Sequence, residues 1–194
     1  QIQFLDLYPL SFFEFLNALR KDAYRSELEK IKLGDSISEI IHEEVLKLLR
    51  LYFVIGGMPA VVKSYRDNSD LFLARTLQNE LLNGYKSDFA KYASLGTAIK
   101  ISNIWESIPA QLAKDNKKFI FKVVTEGARA REYEMALTWL IDAGLIYKLE
   151  NIETSLVPLI AHKNRNIFKI FFLDIGLLGA FCNLHPSLAL DDEK

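Results

Sequence analysis

Apolar residues recur every three or four positions along much of the chain, which is the spacing that lines one face of a helix. The clearest stripe lies in residues 130–145 and consists of Ala130, Tyr133, Leu137, Leu140, Ile141 and Leu145. Gly144 can adopt the left-handed conformation that ends a helix, and a β-prone run follows at 145–149. The pattern predicts a helix that passes directly into a strand.

The elements around that helix come in a recognisable order. A second stripe begins at Thr97, and a short segment at 117–124 is basic outside and apolar inside. After the strand at 145–149 come a polar connector holding Pro158, a basic tip at 162–166 and a strand at 167–173. Helix, short element, helix, strand, tip and strand is the winged helix-turn-helix order. We therefore expect a mainly α fold: a helical region followed by a winged helix-turn-helix with a two-stranded wing.

The first half of the chain is predicted to be helical after an opening strand. Residues 1–7 alternate apolar and polar, and an unpartnered strand at the start of a chain suggests a body that precedes it. Capping boxes are predicted at Ser11 with Glu14 and at Ser36 with Glu39. The turn at 56–59, Gly-Gly-Met-Pro, ends a helix; it lacks the basic residue and hydroxyl that a phosphate-binding loop would need.

Bulk composition limits the classes of function. The 194 residues are 50% hydrophobic and carry a net charge of -1, so no overall basic field would gather nucleic acid. The lone Cys182 is predicted to be a buried thiol, and one cysteine cannot form an internal disulfide, which favours the cytoplasm. The longest apolar stretch, 167–184, is interrupted by Lys169 and Asp174, so no membrane association is expected. Asp174 is predicted to cap the helix that follows it.

Positive charge is concentrated locally. Residues 114–169 hold ten lysines and arginines against seven acids. The candidate contacts to DNA phosphates are Lys117, Lys118, Lys122, Arg129, Arg131, Lys163 and Arg165. Against DNA, the predicted recognition helix also carries Glu132, Glu134 and Asp142, which would repel phosphates. A winged helix serves as a docking surface as readily as a DNA reader, so both functions stay open.

Four motifs resemble a known family. They are YPLSFFEFL at 8–16, FVIGGMPAVV at 53–62, AREYEMALTWLIDAGL at 130–145 and FKIFFLDIGLL at 168–178. Together they resemble a widespread family of uncharacterised bacterial and archaeal AAA-type ATP-binding proteins, in which a P-loop ATPase core is followed by a C-terminal domain of unknown function. The resemblance covers nearly the whole length, with the motifs in family order.

The resemblance implies a division of the chain. Residues 1–19 would be the end of the ATPase core and its exit helix, 20–95 a helical connector, and 96–194 a winged-helix domain with a C-terminal helix. The chain would be a non-catalytic C-terminal region whose partners are duplex DNA, its own ATPase core or a neighbouring subunit. A restriction-endonuclease-like domain would normally follow Leu190.

Catalytic motifs are not found in the sequence. No glycine begins a G-x-x-x-x-G-K-[ST] run, so ATP and Mg²⁺ are expected only in the ATPase core that the resemblance implies. There is no Glu-x-Lys with an upstream Asp of the kind that nucleases use to hold Mg²⁺. His42, His162 and His185 have no second ligand at helical spacing, so we predict no cofactor or metal in this chain.

Overall fold

The computed structural model describes Gln3 and residues 5–189. Its helices are α1 (Phe12–Ala18), α2 (Asp22–Lys30), α3 (Glu39–Ile55), α4 (Pro59–Asn68), α5 (Leu71–Tyr92), α6 (Leu95–Leu112), α7 (Phe121–Val124), α8 (Ala130–Asp142) and α9 (Ile175–Phe181). Strands β1 (Ile146–Ile152) and β2 (Lys163–Phe172) form an antiparallel sheet, and 3-10 turns lie at Leu159–His162 and Pro186–Ala189. A mainly helical fold with a two-stranded sheet is therefore confirmed. None of the helices in this described part is long and apolar enough to cross a membrane.

The chain forms two compact units. The first unit contains Gln1–Leu82 and Asp174–Lys194, and the second unit contains Asn83–Leu173. This grouping differs from the predicted segments 1–19, 20–95 and 96–194, because the chain from Asp174 onward packs with the N-terminal helices and α5 contributes to both units. Of the predicted opening strand, residues 1, 2 and 4 lie outside the described residues, and Gln3 and 5–7 form no strand.

Of the two predicted capping boxes, one forms at the beginning of α1 and the other does not form at the beginning of α3. At α1, Ser11 Oγ accepts from the Glu14 N–H while the Glu14 carboxylate accepts from the Ser11 N–H at 2.8 Å, so this box is confirmed. At α3 the helix begins at Glu39, with Ser38 as its N-cap and no side-chain cap bond. The predicted box at Ser36 is wrong because Glu39 occupies the first helical position, not the third, and cannot reach back to close the box.

The core of the first unit joins α1, α3, α4 and α5. Its buried members are Phe15, Ile55, Val61, Val62 and Ala74. The buried Gln78 amide on α5 donates to the carbonyl oxygens of Val54 and Ile55, each at 2.9 Å, which satisfies acceptors left free at the end of α3. Cys182 immediately follows α9 and is exposed, so its predicted burial is wrong: it lies past the buried stripe of that short helix.

The second unit is built around α6, which packs against α8. Trp105 is 1% exposed and contacts Phe89 and Phe172, with ring centroids 5.4 and 4.9 Å apart. Helix α8 ends as predicted: Gly144 has φ +70°, its N–H donates to the Ile141 oxygen, and the Leu145 N–H donates to the Leu140 oxygen. This pair of bonds is the Schellman motif, and it turns the chain directly into β1.

The hairpin register fixes which residues lie at its end. Ile146 pairs with Phe172 and Glu150 with Phe168, after which Asn151 pairs with Asn164. Residues 165–167 are therefore looped out of β2 as a bulge. The chain reversal lies at 153–162, which we call the hairpin end, and not at the predicted basic tip of 162–166. On the other side of β2, Lys118 forms a bridge with Lys169, and the Phe119 N–H donates to the Phe168 oxygen at 2.8 Å.

Candidate functional site

Three segments of the first unit meet at the turn between α3 and α4, which we call the glycine junction (Leu10, Gly56, Gly57, Asp174 and Gly176). The Gly57 N–H donates to the Asp174 carboxylate at 2.6 Å, and the Leu10 N–H donates to the Gly57 oxygen at 2.7 Å. A Cβ at Gly57 would lie 2.1 Å from the Leu10 oxygen, and one at Gly176 would lie 2.5 Å from the Gly56 nitrogen. Backbone packs directly on backbone here, which excludes side chains.

Asp174 is the charged group of the glycine junction. It is 5% exposed, and it caps α9 by accepting from the Leu177 N–H at 2.8 Å, which confirms the predicted N-cap. Burial raises the pKa of the Asp174 carboxyl, and hydrogen bonds from Gly57, Leu177 and Gly176 oppose that rise. Because its oxygens are occupied by backbone donors, we assign Asp174 a structural role. Elsewhere in the described chain, no three His, Cys, Asp or Glu side chains are grouped to hold a metal ion.

All seven predicted DNA-contact residues lie in the second unit, and two of them begin α8. Arg129 is the N-cap residue, without a side-chain cap bond, and Arg131 lies in the first turn; both are exposed. Cations at the positive end of a helix are unfavourable unless an anion is present. Arg131 also borders a groove of about 430 Å³ that is lined by Thr97, Lys100, Glu132, Met135 and Ala136.

Lys163 is engaged within the hairpin and is not a free tip residue. The Glu150 carboxylate contacts Lys163 Nζ at 2.8 Å and Lys148 Nζ at 3.1 Å. Lys163 and then Lys148 hold the pKa of Glu150 below its ordinary value. Arg165 lies in the bulge of β2 and is exposed. Of the two cations assigned to a basic tip, Lys163 is therefore paired with an acid that it shares with Lys148, and Arg165 lies in the bulge.

The remaining three lysines lie between α6 and α8. Lys117 Nζ donates to the Leu112 and Lys114 oxygens at the end of α6, where a cation is favourable. Lys122 is exposed on α7. Lys118 borders a groove of about 530 Å³ beside the bulge, whose other lining residues are Asn116, Leu149, Glu150, Asn151, Ile167, Phe168 and Lys169. The seven candidates thus lie at the end of α6, on α7, at the beginning of α8 and on the hairpin.

The outward face of α8 is mixed in charge. Its exposed residues after the first turn include Glu134, Met135 and Asp142, and Glu132 lies beside Arg131. Acids therefore lie along the face that would enter a DNA groove, and the arginines are confined to one end of the helix. This arrangement disfavours base reading by the length of α8.

The hairpin end is apolar, whereas a polar connector was predicted there. Leu156, Val157, Leu159 and Ile160 are 64%, 88%, 48% and 72% exposed. Tyr147, Leu149 and Phe171 are also exposed on the outer face of the sheet, where Lys169 lies opposite Leu149. The sequence signal for this surface is the apolar run Leu156-Val157-Pro158-Leu159-Ile160. Exposed apolar patches are common at the interaction sites of proteins.

These features define a mainly helical protein whose second unit combines α6, α7 and α8 with an antiparallel hairpin. The chain belongs to the DUF8612 family, a domain of unknown function, because the model of that family matches residues 46–188. The match takes in the glycine junction from Gly56 onward and the whole of the second unit. No curated protein matches the chain. No solved structure matches it.

Proposed function

We propose that this chain is the non-catalytic C-terminal region of an AAA-type ATP-binding protein and that its second unit is a winged helix. The resemblance motifs support the parent family. The order α6, bridge at Lys118, α7, α8, β1 and β2, with β2 between β1 and the bridging segment, supports the winged helix. The assignment to an AAA-type protein is tested by the coding sequence upstream of Gln1, where we expect a G-x-x-x-x-G-K-[ST] loop. If the complete reading frame encodes no such loop, the assignment is wrong.

The winged helix acts as a docking module. The observation that carries this function is the apolar hairpin end, where four large side chains are exposed together with the outer face of the sheet. Their burial against a partner would contribute about 25 cal/mol for each Å² removed from water. DNA phosphates offer no such surface, and the acids along α8 would lie close to them.

The partner is the ATPase core of the same protein. The second unit has thirteen lysines and arginines against nine acids, so its apolar hairpin end lies on a cationic body. A partner surface that is apolar at its centre and acidic around it complements both properties. We therefore expect an apolar patch with an acidic rim on the ATPase core.

Calorimetric titration of the separately produced ATPase core into this chain tests the docking. We expect binding that is lost when Val157 and Ile160 are both replaced by serine. The matched control replaces Leu33 and Ile40 by serine, since these are comparably exposed apolar residues of the first unit and lie outside the segment assigned to the ATPase core. Equal affinity for the chain and the Val157→Ser, Ile160→Ser variant would contradict docking through the hairpin end.

Duplex DNA is the second candidate, favoured by the two exposed arginines at the positive end of α8. A phosphate placed there would contact guanidinium groups and the free N–H groups of the first helical turn together. A low-salt titration with a duplex of about 20 base pairs, longer than one helical turn of DNA, tests this function. Replacing Arg129 and Arg131 by glutamine should reduce the slope of log K against log salt by about 0.9 for each phosphate that the protein no longer neutralises.

The two candidate functions predict opposite patterns. If docking is the function, the serine variant fails to bind the core, and the glutamine variant changes little beyond its association rate. If DNA binding is the function, the glutamine variant weakens duplex affinity and the serine variant leaves it unchanged. Absence of any salt-dependent duplex affinity in the unmodified chain would remove DNA as a partner.

A further inference from the structure

Arg75 on α5 is partly exposed, but two nitrogens of its guanidinium group are buried and the described residues leave them unpaired. Its Nε and Nη1 atoms are buried, and neither has a hydrogen-bond acceptor within that part of the chain. The side chain reaches α9 at Gly179, where a Cβ would lie 3.7 Å from Nη2 and 3.8 Å from Nη1. Burial lowers the pKa of Arg75. The group remains charged nonetheless, because a free guanidinium loses its proton only at very high pH.

The two unpaired nitrogens call for an explanation, because buried polar groups in proteins are almost always hydrogen-bonded. Acids are not scarce in the first unit, which has sixteen Asp and Glu residues against eleven Lys and Arg. None of the described acids pairs with Arg75. An anion bound beside the exposed part of the Arg75 guanidinium would supply the missing negative charge.

The guanidinium lies in a small pocket with mostly apolar walls. The pocket has a volume of about 160 Å³ and is lined by Phe53, Val54, Arg75, Gly179, Leu184, His185 and Pro186. Phe53 and Leu184 are 48% and 54% exposed, so apolar surface continues at its mouth. The volume is well below the roughly 300–1,000 Å³ typical of sites for nucleotides and drug-sized ligands. It suits a small anionic group joined to a few carbon atoms.

His185 supplies a second polar group at the pocket. The Ser187 N–H donates to His185 Nδ1 at 3.3 Å, and the Ser187 hydroxyl lies 2.8 Å from the same nitrogen. Since Nδ1 accepts, the ring proton of the neutral imidazole lies on Nε2, which is then the remaining donor of the ring. The edge of the ring packs against Phe72, with centroids 5.8 Å apart, which holds its orientation.

We infer that this pocket binds a carboxylate that carries a small apolar group. Arg75 supplies a positive charge at the pocket that attracts a carboxylate, and His185 offers a further donor. Phe53, Leu184 and Pro186 contact the apolar part. A free phosphate would use the guanidinium but would gain nothing from the apolar walls. The ligand is either a small organic acid or the C-terminal carboxylate of a peptide that ends in an apolar residue.

Titration of the ¹⁵N-labelled chain with benzoate tests the site through the Nε–H resonance of Arg75. We expect a saturable shift, and we expect Arg75→Met to weaken benzoate binding by roughly tenfold or more, as loss of a charge-assisted pair does. Methionine has a similar length and removes an uncompensated charge, so the variant should fold with equal or greater stability. The control is Arg66→Met, whose guanidinium is exposed and paired with Asp67 at 2.8 Å.

Further ligands separate the possible sources and can overturn the site. If the ligand is the C-terminus of a protein, a peptide that ends in phenylalanine should bind, and the same peptide with an amidated C-terminus should not. If benzoate binds and neither peptide does, the ligand is a small organic acid. Benzamide should bind more weakly than benzoate. Equal affinity for benzamide, tighter binding of inorganic phosphate, or unchanged affinity in Arg75→Met would each refute the inference.

Discussion

The Asp174 carboxylate accepts a hydrogen bond from the Gly57 N–H at 2.6 Å although the two residues are 117 positions apart. The bond joins the beginning of α9 to the turn that ends α3. The Leu10 N–H bonds to the opposite side of the same glycine. One short turn therefore ties together the beginning, the middle and the end of the first unit.

Replacing Asp174 by alanine should destabilise the first unit by about 2–4 kcal/mol, since it removes an N-cap and leaves buried N–H groups without an acceptor. The matched control is Asp70→Ala. Asp70 also accepts from two N–H groups at a helix start, Phe72 and Leu73, but it is exposed, so its loss should cost about 1 kcal/mol. Urea denaturation of both variants measures the difference. Equal losses would mean that the glycine junction adds nothing to an ordinary cap.

The pH dependence of stability should report the burial of Asp174. Because burial raises its folded pKa, the folded state binds the proton more tightly than the unfolded state does. The stability that this proton contributes is fully present below the unfolded pKa and is lost as the pH rises through the folded pKa. The free energy of unfolding of the wild type, minus that of Asp174→Asn, should therefore fall as the pH rises above about 4, the pKa of an unfolded aspartate. A difference that rises with pH would show that the three N–H donors outweigh burial.

Gly57→Ala should cost about 1–3 kcal/mol or more, because the new Cβ would lie 2.1 Å from a backbone oxygen that cannot move without displacing α1. Gly84→Ala is the matched control. Gly84 lies within α5, and apart from its chain neighbours and the backbone of its own helix no atom lies within 4 Å of the place that an alanine methyl group would take. Alanine there should therefore stabilise by roughly 0.5–1 kcal/mol. Thermal unfolding of the two variants should shift in opposite directions. A neutral Gly57→Ala would show that the Leu10 segment does not pack on the turn.

Sequence reasoning succeeded where the deciding contacts are local. The capping box at Ser11 and the helix end at Gly144 each depend on a few adjacent residues, and both formed as expected. The capping box predicted at Ser36 was wrong because it depends on which residue begins α3. The first residue of a helix is hard to place to better than one turn. The glycine junction could not be predicted because its partners are 117 positions apart. Hydrophobic pattern alone gave no reason to join Gly57 with Asp174.

The same limit applies to the candidate surfaces. The two strands of the hairpin were predicted, but the bulge at 165–167 shifts the register and moves the chain reversal from the basic residues to the apolar ones. Lys163 was read as free because its partner Glu150 lies on the opposite strand. The sequence gives no reason to single out Arg75, because a lone arginine on a helix ordinarily lies in solvent; only its approach to α9 buries two of its nitrogens.

The exposure of the hairpin end gives a prediction that requires no partner. Replacing Val157 and Ile160 by serine should change the free energy of unfolding by no more than about 0.5 kcal/mol. These side chains are 88% and 72% exposed, so they bury little apolar area when the chain folds. The contrasting variant is Ile170→Ser in β2. Ile170 is 1% exposed, so serine there leaves a cavity and a buried hydroxyl, and several kcal/mol should be lost. Urea denaturation distinguishes the two variants. A loss above about 1 kcal/mol from the hairpin-end variant would mean that these residues are covered within the chain itself, and the docking surface would then have to be sought elsewhere.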